Sequence, residues 1–94
     1  MRPVQVANRV IADVADAVFH DRAVLGNILL DLQTNLPNNL MHYQSKRVGR
    51  SQHCFLYERT YSIDPHSFKL RRLRFVVRDS DPSMLEVIWV VVVA

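Results

Sequence analysis

Arg72 and Arg74 stand two residues apart in a stretch whose apolar residues, Leu73, Phe75 and Val77, alternate with them. In an extended strand such residues leave opposite faces, so both guanidinium groups point to one side. Phe55, Tyr57, Arg59 and Tyr61 alternate in the same way with Cys54, Leu56, Glu58 and Thr60. If Tyr57 lies opposite Arg74 and Arg59 opposite Arg72, the sheet carries an aromatic and arginine surface. Arginine would then meet phosphate, and tyrosine rings would stack on bases, worth about 1–3 kcal/mol per base. Lys46, Arg47 and Arg50, just upstream, would extend the track. A turn one residue longer or shorter swaps the faces and sets Glu58 against Arg74. That register gives a cross-strand ion pair and sends the tyrosines to the core. The sequence leaves both registers open.

Other chemistry is sparse. His20, His42, His53 and His66 lack metal-ligand spacing, and Cys54 adds one ligand at most, so no metal or cofactor is expected. His53 and Cys54 are adjacent, and neighbours on a strand point to opposite faces, which rules out a nucleophile pair. Asp79-Ser80-Asp81-Pro82-Ser83 has turn chemistry rather than the length of a cation loop. There is no Gly-rich phosphate loop and no RNA-recognition or KH signature. These absences point away from catalysis and toward binding.

Charge supports that direction. The net charge of +3 hides an uneven spread. Residues 36–78 hold nine Lys and Arg against two acids, whereas residues 1–35 hold three against four and residues 79–94 hold none against three. A basic middle suits an anionic partner, nucleic acid foremost or an acidic protein. The single cysteine excludes an internal disulfide and favours an intracellular setting. Met1-Arg2-Pro3 leads into no apolar block, so no signal peptide is expected. The apolar run from Val87 to Ala94 is far below the roughly 20 residues of a membrane helix.

The elements that must position these residues read as one domain spanning 1–94. Val4, Ala7, Ile11, Val14 and Val18 recur at helical spacing and predict a helix over about 3–19. The alternative makes Pro3–Ala7 a short strand, with Asn8 capping a shorter helix. Asp21 is an N-cap for a second helix with the stripe Leu25, Leu29, Leu32 and Leu36, widened by Val24 and Ile28 and ended by Pro37 at Asn35 or Leu36. Three strands follow, at about 52–63, 68–78 and 84–94, joined by short polar connectors that make them antiparallel neighbours. The predicted fold is α+β: an N-terminal helical hairpin on one face of a three-stranded meander, or of four strands if Pro3–Ala7 is extended.

The last strand lacks polar alternation. Leu85, Val87, Trp89, Val91 and Val93 make one apolar face; Met84, Ile88, Val90 and Val92 make the other, interrupted only by Glu86. One face can pack on the helices, and the second needs another cover. A second copy is the simplest cover, with Ile88, Val90 and Val92 as a homodimer interface; pairing by residues 3–7 as a strand, or packing on a domain of a longer chain, are the alternatives. Two helices followed by a meander with basic strands resembles, in layout, the ribosome-dependent RNA-cleaving toxins of the RelE/ParE type. The resemblance implies a short opening strand, here Pro3–Ala7, and a site drawn from Arg72, Arg74 and Tyr57. The expected function is a small non-enzymatic binding or assembly module; a structural or adaptor subunit and such a toxin are the competing readings.

Overall fold

A computed structural model of the chain describes residues 2–40, 53–64 and 69–93. The elements run β1 (Val4–Val6), α1 (Asn8–Ala17), α2 (Arg22–Asn38), β2 (Cys54–Asp64), β3 (Lys69–Asp81) and β4 (Met84–Val93). The fold is α+β. One mixed sheet has the strand order β1-β4-β3-β2, with β1 parallel to β4 and the other pairs antiparallel.

The N-terminus adopts the extended alternative rather than one helix from Pro3. Val4 and Val6 pair with Leu85 and Val87, Leu85 N–H donates to Pro3 C=O at 2.9 Å, and Ala7 N–H donates to Val87 C=O at 3.0 Å. These ladder bonds and the burial of Val4 outweigh the helical spacing of the first residues. Arg2 anchors the strand: its guanidinium meets the Asp79 carboxylate at 2.5 Å and the Met84 carbonyl at 3.0 Å, and it also donates to the Asp81 carbonyl. The helix itself begins at Asn8 after Ala7, without a side-chain cap. Val14 and Val18 of the predicted stripe are buried, while Val10, beside the stripe, is buried and the stripe residue Ile11 is half-buried.

α1 ends at Ala17, short of the predicted 19, so Val18, Phe19 and His20 lie between it and the Asp21 cap. Phe19 and His20 have φ of 56° and 60°, which reverses the chain tightly. Asp21 caps α2 as expected, accepting from Ala23 N–H at 3.0 Å and Val24 N–H at 3.1 Å. Pro37 does not stop α2 before itself. It sits in the last turn and the helix runs to Asn38, where few later amides depend on it. The buried face of α2 is Ile28, Asp31, Leu32 and Leu36, with Val24, Leu25 and Leu29 packed beside it.

The β2–β3 register sets Glu58 opposite Arg74 and Tyr57 opposite Phe75. Phe55, Tyr57, Leu73, Phe75, Val77, Leu85 and Val87 face the helices and are fully buried. A one-residue shift between Ser62 and Asp64, at Ile63, sets this register. A second shift inserts Ile88 into β4 opposite the Val76–Val77 step. It breaks the predicted continuity of both β4 faces. Val90 joins Leu85 and Val87 in the core, while Trp89, opposite Val76, turns to the outer face.

Candidate binding surface

The helices cover one face of the sheet. The other face is built by alternation on β2, β3 and β4, in rows that the register defines. Cys54 lies beside Arg78 and Glu86; Leu56 beside Val76 and Trp89; Glu58 beside Arg74 and Val91; Thr60 beside Arg72 and Val93. Glu58 Oε2 accepts from Arg74 Nε at 2.9 Å, and Glu58 Oε1 lies 3.6 Å from Arg72 Nη1. Arg78 Nη2 donates to Glu86 Oε2 at 2.5 Å, a bond that raises the guanidinium pKa above its ordinary value. One carboxylate thus serves two arginines, while Arg78 and Glu86 neutralise each other. Cross-strand charge pairs of this kind order the arginines without burying them.

An apolar strip crosses the charges. Leu56, Val76 and Trp89 form one row, and Trp89, Val91 and Val93 run along β4. Trp89 and Val91 are 41% and 45% exposed. The guanidinium of Arg9, from the first turn of α1, lies 4.0 Å from the Trp89 ring centroid. Such a cation–π contact is worth about 0.5–1 kcal/mol at an exposed site. β1 pairs only with Leu85–Val87, and among the described residues no strand pairs with the outer edge of Ile88–Val93.

The structure does not bring the predicted site residues together. Arg72 and Arg74 do share the outer face. Tyr57 does not join them. It is fully buried under the helices, because its partner Phe75 belongs to the core face, so its ring offers no stacking surface. The toxin layout implied Arg72, Arg74 and Tyr57 acting together; the short opening strand it implied is present, but the sheet puts Tyr57 on the opposite face from the arginines. Arg59 follows the parity of Tyr57, and its Nη2 lies 3.7 Å from Asp31 Oδ1 on α2. Lys46, Arg47 and Arg50 fall outside the described residues. Of the interface residues, Ile88 is the half-buried extra residue of the β4 irregularity and Val92 is 47% exposed. Val90 is 8% exposed and belongs to the core, because the inserted Ile88 turns it toward the helices.

Asp31 is the polar centre that the periodicity concealed. It is 9% exposed, within the apolar stripe of α2. Its Oδ2 accepts from Tyr61 at 2.6 Å and Tyr57 at 3.0 Å, and its Oδ1 accepts from Asn35 Nδ2 at 2.5 Å. Burial, and then the bond to Asp31, raise the Tyr61 hydroxyl pKa above its ordinary value. The signal was an acid between Ile28 and Leu32 on a buried stripe, which demands donors from the facing element. The two tyrosines of β2 supply them. With both oxygens engaged, this cluster ties α2 to β2. No group of three His, Cys, Asp or Glu side chains able to hold a metal exists among the described residues, and no described helix is long and apolar enough to cross a membrane.

No protein-family model, curated protein or solved structure matches this chain.

Proposed function

We propose that the chain is a small intracellular, non-enzymatic binding and assembly module that works through the uncovered face and edge of its sheet. The carrying observation is Ile88–Val93. This stretch contains no charged residue and no proline, extends past β1, and exposes Trp89, Val91 and Val92 by more than two fifths each. Soluble proteins guard an edge strand with charges, prolines or a covering element. An edge without charge or proline, flanked by half-exposed apolar side chains, favours self-association into a homodimer. The mass in solution, followed by light scattering across a dilution series, tests it; a monomer at every concentration removes the assembly reading.

A second feature favours an anionic partner, nucleic acid in the first place. Arg72 and Arg74 share the single carboxylate of Glu58, so their patch keeps excess positive charge on an exposed face. Lys46, Arg47 and Arg50 precede β2 in the sequence and add to the basic middle of the chain. Titration of a labelled single-stranded RNA at two salt concentrations tests this part. Salt-sensitive binding supports it, the absence of binding at low salt leaves a protein-interaction subunit, and scission of the strand brings forward the toxin reading.

A further inference from the structure

We propose that the partner on the β4 edge is a second copy of this chain, paired antiparallel about a two-fold axis at Val91, so that two four-stranded sheets join into one of eight strands. This rests on the assembly reading above and specifies its geometry. Three observations define it.

The first is backbone parity. Leu85 N–H and Val87 C=O point toward β1. Main-chain groups alternate sides along a strand. Ile88 is inserted between the residues paired with Val77 and Val76, so the alternation resumes with Val90 and Val92 turned to the free edge and Val91 and Val93 turned to β3. An antiparallel partner must bring outward-turned residues face to face. That admits an axis at Val90, Val91 or Val92 and excludes an axis between two residues.

The second is the irregularity itself. An axis at Val90 would draw Ile88 into the ladder, where its main chain is already displaced by the insertion. Among the described residues an axis at Val92 pairs only Val91–Val93. An axis at Val91 pairs Trp89–Val93, the longest register of the described residues that stays clear of the insertion. Val90 then exchanges both hydrogen bonds with Val92 of the second copy.

The third is side-chain complementarity. A two-fold axis normal to the sheet sets outer face beside outer face. Val91 meets Val91 of the second copy, and Trp89 meets its Val93. The half-exposed apolar column of β4 becomes continuous across the junction. Any charge near the axis would oppose itself, and Ile88–Val93 contains none.

In a non-hydrogen-bonded antiparallel pair the two Val91 Cα atoms lie about 4.5 Å apart. That distance is within the range a disulfide spans, roughly 4.4–6.8 Å. The test is Val91→Cys in a Cys54→Ser background, with Val93→Cys in the same background as control. Each is incubated with oxidised glutathione and resolved without reductant, beside light scattering of the unmodified chain. The expected result is a covalent dimer from the Val91→Cys chain and far less from the Val93→Cys chain, with an unmodified chain of twofold mass. A twofold mass without the Val91 cross-link, or with cross-linking at 93 instead, overturns this register while leaving the assembly reading standing. A monomer throughout overturns both. Val91→Lys sets two like charges against each other on the axis. It should halve the mass of the dimer; an undiminished dimer overturns the proposal.

Discussion

Glu58 and Asp31 are the two carboxylates on which the candidate surface turns, and they act on opposite faces. Glu58 spaces Arg72 and Arg74 in the open, where an ion pair contributes about 0–1 kcal/mol. Glu58→Gln should therefore change urea stability by less than about 1 kcal/mol. It should also strengthen RNA binding at low salt, because both guanidinium groups lose their competing anion. Unchanged or weakened binding, by anisotropy, would separate this patch from any nucleic-acid contact. Asp31 works in the core. Tyr57→Phe removes one donor to a charged acceptor and should cost about 1.5–3 kcal/mol, with RNA affinity unaffected. The Tyr61 hydroxyl has a folded pKa above its unfolded value. Its contribution is complete below the unfolded pKa of about 10 and is lost as pH rises from there toward the folded value. A near-ultraviolet tyrosinate titration should accordingly leave Tyr61 un-ionised until the chain unfolds.

The elements depend on single residues placed where periodicity changes. Leu32 is fully buried on α2, whereas Leu30, two positions earlier, is 61% exposed. Leu32→Ala should cost about 2–5 kcal/mol and Leu30→Ala less than about 0.5 kcal/mol, measured by urea unfolding. Gln33 lies outside the leucine stripe, yet its Nε2 donates to Val4 C=O at 2.8 Å and links α2 to β1. Gln33→Ala should cost about 0.5–1.5 kcal/mol, which the stripe alone would not predict. Ile88 is the extra residue of β4: deleting it would join Val87 to Trp89 in simple alternation and keep Trp89 on the outer face and Val90 in the core, so the shortened chain should still unfold cooperatively in urea.

At the scale of the whole molecule, the two helices cover one side of a four-stranded sheet, and among the described residues nothing packs on the basic strands' other side. That asymmetry is what the functional proposal uses. If phosphates dock on the open face, log affinity should fall linearly with log salt. Replacing Arg72 and Arg74 together by alanine should lower that slope by up to about two units, and by similar amounts for all sequences. A slope that does not change with both arginines gone would place the contact elsewhere on the chain.

Much of this molecule is legible in the linear pattern. The α+β class, the antiparallel meander, the Asp21 cap, the valine stripe of α1 and the buried face of β3 follow from spacing and turn chemistry, because these depend on neighbours a few residues away. What the pattern left open or misplaced depends on partners far along the chain. Val4 and Val6 suit a helix or a strand equally in isolation; the edge of β4, some eighty positions later, decides for the strand. Tyr57 has the spacing of a surface aromatic, but one extra residue at Ile63 turns it inward to Asp31. Val90 has the spacing of an interface residue, but one extra residue at Ile88 puts it in the core and Trp89 outside. A side-chain period of two makes a single inserted residue enough to exchange the faces of a strand. Such insertions leave no mark in a β-branched or aromatic run, so the sequence determined that β2, β3 and β4 are strands, and only tertiary pairing decided that β1 is one and which way each strand faces.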